Sequence, residues 1–245
     1  MRVGVNGAGG RMGSAVCAAV EAAPDLELVA TVGRGQELRA FADAECDVVV
    51  DFTTAEACRT TLPWLAMHGI HAVVGTSGLT DVDVDEIRGV FGDGPAHCVI
   101  APNFAISAVL MDRLAEVAAP FFDTVELIEY HHDRKIDAPS GTALATVDRI
   151  AAARGDVPWG QDPTRHETVP GGRGATTPSG VRVHSVRMRG MVAHQEVVFG
   201  AEGQTLTIRQ DSYDRSSFMP GVLLACRQVA HHPGVTVGLG ALLGL

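Results

Sequence analysis

Met1-Arg2-Val3-Gly4-Val5-Asn6-Gly7-Ala8-Gly9-Gly10-Arg11-Met12-Gly13 opens the chain, and its reading decides the fold. Arg2 to Asn6 is a short apolar strand, and the glycines at positions 7, 10 and 13 follow at once. Ser14 to Ala23 reads as a helix with Met12, Val16, Ala19 and Val20 on one face, stopped by Pro24. Leu26 to Val32 is a second strand. Strand, glycine turn, helix and strand in this order form a dinucleotide-binding βαβ unit. The spacing is G-x-x-G-x-x-G, with Met12 in the sixth place of the usual G-x-G-x-x-G, but the physics survives the change. Glycines permit the tight turn, the close approach of backbone to a pyrophosphate, and the packing of helix on strand. Gly7, Ala8, Gly9, Gly10, Arg11, Met12 and Gly13 are therefore expected cofactor contacts.

Outward from this unit the elements keep alternating to about residue 104. Asp47 to Asp51 is a continuous apolar strand, as a buried parallel sheet requires. Thr53 and Glu56 have capping-box spacing, which predicts a helix from about Thr54 to His68. A strand at His71 to Gly75, a helix capped by Thr80 or Asp81 and running to Phe91, and a strand at His97 to Ala101 complete the pattern. Strand ends carry small or polar residues, and in an open α/β sheet those ends line the ligand crevice. Gly75, Thr76, Ser77, Ala101, Pro102, Asn103 and Phe104 are expected to lie there. The second strand ends in Val32-Gly33-Arg34-Gly35, without the acid that bonds a ribose 2′-hydroxyl. Arg34 offers a guanidinium that suits a 2′-phosphate, or else a solvated loop charge. Both NADH and NADPH are expected cofactors.

The pattern then changes. Ser107 to Ala118 and Thr142 to Arg154 read as helices, and Thr124 to Tyr130 as a strand. Residues 155–180, rich in Gly and Pro, predict a long, mobile loop. Strands at Val181 to Met188, Gln195 to Gly200 and Thr205 to Gln210 follow with short turns, which favours a mixed or antiparallel sheet. Pro220 to Ala230 is helical, with His231 and His232 at its end, and Leu239 to Leu245 is an apolar tail. The fold class is α/β: an N-terminal Rossmann-type domain plus a smaller α+β domain with a mixed sheet.

Between the first strand and helix of the second part lies Glu129-Tyr130-His131-His132-Asp133-Arg134-Lys135-Ile136-Asp137-Ala138-Pro139-Ser140-Gly141-Thr142-Ala143. Two imidazoles and an ammonium fall within five residues, groups that move protons and neutralise anions. Ser140, Gly141 and Thr142 open a helix whose free N–H groups can hold a carboxylate. Asp137 orients Lys135 or caps that helix. Asp133 and Arg134 read as solvated charges, and His194 as structural.

A net charge of −10 and a pI near 5.4 argue against nucleic acid and anionic membrane partners. No apolar run approaches the roughly 20 residues of a membrane span, and the opening strand leaves no signal peptide, which predicts a cytoplasmic location. The five scattered cysteines (Cys17, Cys46, Cys58, Cys98 and Cys226) lack any C-x-x-C pair and read as buried thiols, not as metal ligands or a disulfide.

The motifs resemble those of the bacterial 4-hydroxy-tetrahydrodipicolinate (dihydrodipicolinate) reductases. The matching stretches are Gly7 to Gly13, Gly75-Thr76-Ser77-Gly78, Ala101 to Phe104, His131 to Ala143 and Val192-Ala193-His194-Gln195-Glu196. Thr205 to Ile208 and Asp214 to Phe218 fit as well. The resemblance implies NAD(P)H-dependent reduction of a cyclic dicarboxylate in lysine and diaminopimelate biosynthesis. It implies that His131 and Lys135 transfer protons, and that His132, Ser140, Gly141 and Thr142 hold substrate; as neighbouring cations, His131 and Lys135 are expected to lower each other's pKa. It also implies a C-terminal tail that returns to the first domain, with expected boundaries 1–104 with 215–245 for the dinucleotide-binding domain and 105–214 for the substrate-binding and oligomerisation domain, and a homotetramer built on the latter. Gly33 and Arg34 depart from relatives that carry an acid at position 33.

Three alternatives compete with this reading. One is a different Rossmann oxidoreductase, such as an aldehyde or amino-acid dehydrogenase; an acylating aldehyde dehydrogenase would need a loop cysteine beside a base, whereas Cys17 and Cys226 fall within helices. A second is a diverged member of the same family acting on another cyclic imine. A non-catalytic dinucleotide sensor predicts a decayed His/Lys cluster, and this one is intact.

Overall fold

The computed structural model describes residues 1–92 and 94–245. β1 (Arg2–Asn6), α1 (Arg11–Ala22), β2 (Glu27–Val32), α2 (Arg39–Asp43), β3 (Val48–Asp51), α3 (Ala55–Met67), β4 (His71–Val74), α4 (Asp81–Phe91) and β5 (Cys98–Ile100) alternate along the first part of the chain. α5 (Ile106–Ala118), β6 (Thr124–His131), α6 (Gly141–Arg154), β7 (Ala175–Thr176), β8 (Arg182–Arg187), β9 (Ala193–Ala201) and β10 (Gln204–Ser212) follow. α7 (Met219–Gln228) and β11 (Val235–Val237) end the sequence of elements. The chain divides into two compact units, Met1–Ile106 with Arg215–Leu245, and Ser107–Asp214. Among the described residues no helix is long and apolar enough to cross a membrane.

Among the described residues the first unit is built on a six-stranded sheet ordered β11-β5-β4-β3-β1-β2, with every pair parallel. The strand order turns at β1, which lies between β2 and β3, so the topological switch point falls where the glycine turn leaves the sheet. β3 is buried over its whole length because both sheet faces are covered. Val49 belongs to a core with Cys58, Leu62, Leu65, Ile87 and Phe91 of α3 and α4. Strand alternation sends Val48 and Val50 to the other face, where α1 and α7 pack together.

Several details differ from the sequence reading. α3 is capped by Thr54, which accepts from the Ala57 amide at 3.2 Å, and not by a Thr53–Glu56 box. Thr53 is otherwise engaged, its hydroxyl donating to Asp51 Oδ1 at 2.6 Å. α4 starts at the Thr80 cap, with Asp83 as the reciprocal partner. α2, β7 and β11 are too short to show a period. β11 enters the sheet through hydrogen bonds at its two flanking glycines, from Cys98 N to Gly234 O and from Gly238 N to Ile100 O. The C-terminal tail buries Leu239 and Leu242.

The second unit holds a five-stranded sheet ordered β10-β9-β6-β8-β7 among the described residues. β6 and β8 are parallel and the other pairs antiparallel. One face is covered by α5 and α6. Met111, Ala115, Val147 and Ile150 pack there on Val125, Leu127, Val183, Val197 and Phe199. The opposite face presents Glu126, Ile128, Tyr130, Glu196 and Val198, all partly exposed. The 155–180 segment carries β7 and is tied down by ion pairs. Arg173 meets Glu126 and Asp162, Arg182 meets Asp162, and His184 meets Glu126.

Candidate active site

The turn after β1 is shaped by close backbone contacts. Gly7 has φ +80°, and its carbonyl accepts from Gly10 N at 2.9 Å. A Cβ on Gly13 would lie 2.1 Å from that same carbonyl oxygen, so the third glycine is what lets α1 start against the turn. Gly10 is the N-cap, and the first turn of α1 holds no acid. The leading amides of α1, at Arg11, Met12 and Gly13, lack intrahelical acceptors and suit a pyrophosphate. The donor set and the missing side chains fit a dinucleotide. Arg11 and Arg34 are exposed and have no carboxylate partner among the described residues. Gly33 N donates to Gln36 Oε1 at 2.6 Å, so the turn after β2 closes on itself without an acid at position 33.

The ends of β1, β3 and β4 meet on a single buried carboxylate. Asp51 is fully buried and accepts from Asn6 Nδ2 at 2.8 Å, Thr53 N at 2.9 Å and Thr76 Oγ1 at 3.0 Å. Thr76 therefore turns its hydroxyl inward and leaves its backbone for a ligand, while Ser77 is exposed. Gly75 has no room for a Cβ, which would meet the Phe52 ring at 2.1 Å. After β5, Ala101 and Phe104 are buried and Pro102 is exposed. Phe104 packs on Phe52, with ring centroids 5.7 Å apart, and Asn103 Oδ1 accepts from Ala105 N at 2.9 Å. Burial pushes the Cys58 thiol up to about 12, so it is no nucleophile.

In the second unit β6 ends at His131, and the chain turns through a cis Ala138–Pro139 bond into α6. His131 Nδ1 lies 2.5 Å from Glu129 Oε2, at an angle short of a well-formed hydrogen bond, so the contact is ionic when the ring is protonated. His132 Nδ1 accepts from Arg134 N at 3.2 Å, which leaves Nε2 for a ligand. Lys135 Nζ donates to Asp137 Oδ1 at 2.8 Å. Asp137 thus orients Lys135 and does not cap the helix. The cap is Ser140, buried, whose Oγ accepts from Ala143 N at 3.2 Å. Gly141 and Thr142 are exposed at the first turn of α6, with amides that point out of the helix and no acid beside them. The segment thus brings together two ring nitrogens, an ammonium and a carboxylate-sized cradle.

Electrostatics favour a neutral imidazole near pH 7. Burial lowers the His131 pKa, Glu129 pulls it back up, and Lys135 and Arg187 add to the depression. Burial, and not Lys135, is thus the larger cause. Burial alone would raise Glu129, but hydrogen bonds from Arg187 and Ser185 and the charge on His131 hold it below the usual carboxylate value. Lys135 holds Asp137 down likewise. His194 is buried with both ring nitrogens engaged. Nδ1 lies 2.7 Å from Asp211 Oδ1, and Nε2 accepts from Val192 N at 3.2 Å. Asp133 pairs at the surface with Arg189, and Arg134 is exposed.

Sequence reading assigns no role to Glu129 or Arg187, and gives Asp51 only a place at a strand end facing the ligand crevice. The i, i+2 spacing of Glu129 and His131 on a strand places both on one face and was the available signal. Arg187 comes opposite His131 only through the parallel pairing of β6 and β8.

Residues 1–104 match the family described as dihydrodipicolinate reductase, N-terminus, and residues 107–243 match dihydrodipicolinate reductase, C-terminus. The chain is 56% identical to a 4-hydroxy-tetrahydrodipicolinate reductase of Nocardia farcinica, over 100% of this chain and 99% of that one. It is 52% identical to another from Mycobacterium sp. strain KMS, over the full length of both. Among solved structures it resembles a dipicolinate-bound dihydrodipicolinate reductase from Paenisporosarcina sp. TG-14. The TM-score there is 0.90 and the identity 35%, over 98% of each chain.

Proposed function

Because the chain belongs to the dihydrodipicolinate reductase family, it is an oxidoreductase that reduces 4-hydroxy-tetrahydrodipicolinate with a nicotinamide cofactor, and we propose which of its groups do the work. The observation that carries the assignment is the single segment 131–142, which combines His131 on a buried acid, Lys135 on Asp137 and the open N-terminus of α6. The substrate is (2S,4S)-4-hydroxy-2,3,4,5-tetrahydrodipicolinate, which loses water to the conjugated dihydro form. A nicotinamide held by the first unit would supply the hydride for this reduction, and His131 or Lys135 would give the proton that completes tetrahydrodipicolinate. Gly141, Thr142 and the Ser140 turn hold one carboxylate, and His132 contacts the substrate. In the first unit Gly7 to Gly13 cradle the pyrophosphate, and Gly75 to Ser77 with Ala101 to Phe104 face the nicotinamide end.

A coupled assay fed by dihydrodipicolinate synthase, aspartate semialdehyde and pyruvate tests this assignment through loss of reduced-nicotinamide absorbance. Thr142→Val removes a hydroxyl donor to a charged carboxylate and keeps the shape. It is expected to raise KM and weaken inhibition by pyridine-2,6-dicarboxylate, at a cost of about 1.5–3 kcal/mol. Unchanged inhibition would move the carboxylate site elsewhere.

The enzyme is proposed to accept both NADH and NADPH, with kcat/KM values within about tenfold, a difference below roughly 1.4 kcal/mol. Support comes from the missing acid at Gly33 and the unpaired Arg34. An aspartate fits at position 33, since its Cβ would meet nothing closer than Gln36 Oε1 at 3.4 Å. Gly33→Asp is expected to weaken NADPH more than it strengthens NADH. Arg34→Ala is expected to weaken NADPH alone, by an amount that shrinks at high salt. A wild type that strongly excludes NADPH would mean that another acid, such as Glu37, serves the ribose.

The working form is proposed to be a cytoplasmic homotetramer joined through the second unit. The uncovered sheet face and the exposed Leu114, Val117 and Phe121 support this. A monomer in sedimentation equilibrium would refute it.

A further inference from the structure

We propose that Glu129 and Arg187 are positioning residues that orient the His131 ring and tie it to the arm carrying Lys135. The consequence for catalysis rests on the proton-transfer role of His131 proposed above. Glu129 is a fully buried carboxylate inside the second unit, and it contributes nothing to a hydrophobic core. One of its oxygens lies against His131 Nδ1 and the other accepts from Arg187 Nη2 at 2.7 Å. The same Nη2 donates to the carbonyl of Asp137 at 2.7 Å, and Asp137 holds Lys135. A continuous chain therefore runs His131–Glu129–Arg187–Asp137–Lys135, joining the two proton-transfer groups through a strand more than fifty residues away in sequence. With Nδ1 facing Glu129, Nε2 is the ring nitrogen left to exchange a proton.

The charged groups facing His131 are Glu129 on its own strand, Lys135 on the turn that follows and Arg187 on β8. From β9 the residue opposite is Ala193, which carries no charge. Glu129 is thus the acid that favours the imidazolium, and the two cations oppose it. Removing the Glu129 charge lowers the proton affinity of His131, and its protonated fraction is then lost at a lower pH.

The test is Glu129→Gln, which keeps the shape and removes the charge. The His131 titration is followed by NMR in protein carrying labelled histidine, with the resonance assigned by its loss in His131→Gln. It is expected to move to lower pH in Glu129→Gln, and the descending limb of the kcat/KM profile is expected to move with it. Turnover is expected to fall roughly ten- to hundred-fold through misplacement of the ring, with cofactor KM unchanged. Glu129→Asp, which keeps the charge, is expected to return the titration toward that of the wild type. An unmoved His131 titration in Glu129→Gln overturns the proposal. If that variant does not fold, Arg187→Lys serves: it keeps a charge but loses the planar fork, and wild-type turnover in it overturns the proposal equally. A titration that moves while the rate profile stays put upholds the positioning and removes His131 from the proton-transfer role.

Discussion

Replacing His131 by Gln, or Lys135 by Cys, is expected to lower turnover by roughly 10²–10⁴-fold, the scale of a lost acid–base group. Each change removes the titrating atom and spares the local scaffold. His131 lies at the end of β6, where its backbone pairs with Ala193 and Arg187 whatever its side chain. Lys135 is on the turn that follows, and its ammonium pairs with Asp137. Cofactor affinity is expected to stay near wild type, because neither residue belongs to the unit that carries the glycine turn. The measurement is steady-state kinetics beside direct cofactor titration. Near-normal turnover in both variants would remove the proton-transfer assignment. A parallel loss of cofactor binding would show that the two units are not independent in this respect.

Gly13→Ala is expected to have the second largest effect, on cofactor binding. The added Cβ would sit 2.1 Å from Gly7 O, 2.7 Å from Gly7 C and 2.8 Å from Ala8 Cα. These are backbone atoms of the turn itself, so no side chain can yield, and relief requires the turn or the start of α1 to shift. Overpacking of this kind costs about 1–3 kcal/mol, and more when backbone must move. The shift displaces the amides that would face the pyrophosphate, so affinity is expected to fall by at least about tenfold, which is 1.4 kcal/mol. Inhibition by pyridine-2,6-dicarboxylate, a ligand of the other unit on the proposed reading, is expected to persist. Cofactor titration and thermal unfolding check the prediction together. A variant with wild-type affinity would mean that the turn has slack the distances deny. Gly89→Ala, on the exposed side of α4 and outside the proposed cofactor site, is the control, since nothing lies within 4 Å of its Cβ.

Much of this molecule is legible from one sequence, for reasons that are local. The strand–glycine–helix order at the start depends on backbone sterics within thirteen residues, and so does the need for glycine at position 7, where φ is +80°. Parallel strands buried on both faces announce themselves as unbroken apolar runs, as Val48 to Val50 do. The cluster from His131 to Thr142 is contiguous, so its chemistry could be read without knowing how the chain folds around it. The start of α4 was legible as a cap at Thr80 or Asp81, and the structure chose Thr80, with Asp83 as its reciprocal partner.

Tertiary structure decided what depends on residues distant in sequence. Thr53 looked like a cap, but a hydroxyl bonds the strongest acceptor in reach, and the buried Asp51 carboxylate supplied it. Asp51 draws Asn6 and Thr76 from strands on either side of its own, a convergence visible only once β1, β3 and β4 are adjacent. β11 carries no period in three residues and exists because β5 offers it an edge. Arg187 reaches Glu129 only because β6 and β8 run parallel with His131 opposite Arg187. By itself the sequence determined the backbone conformations and the chemical groups of the site, since torsional sterics and side-chain chemistry act within a few residues. Which buried charges neutralise one another was left to the tertiary structure, because Coulomb and hydrogen-bond partners are chosen by distance in space.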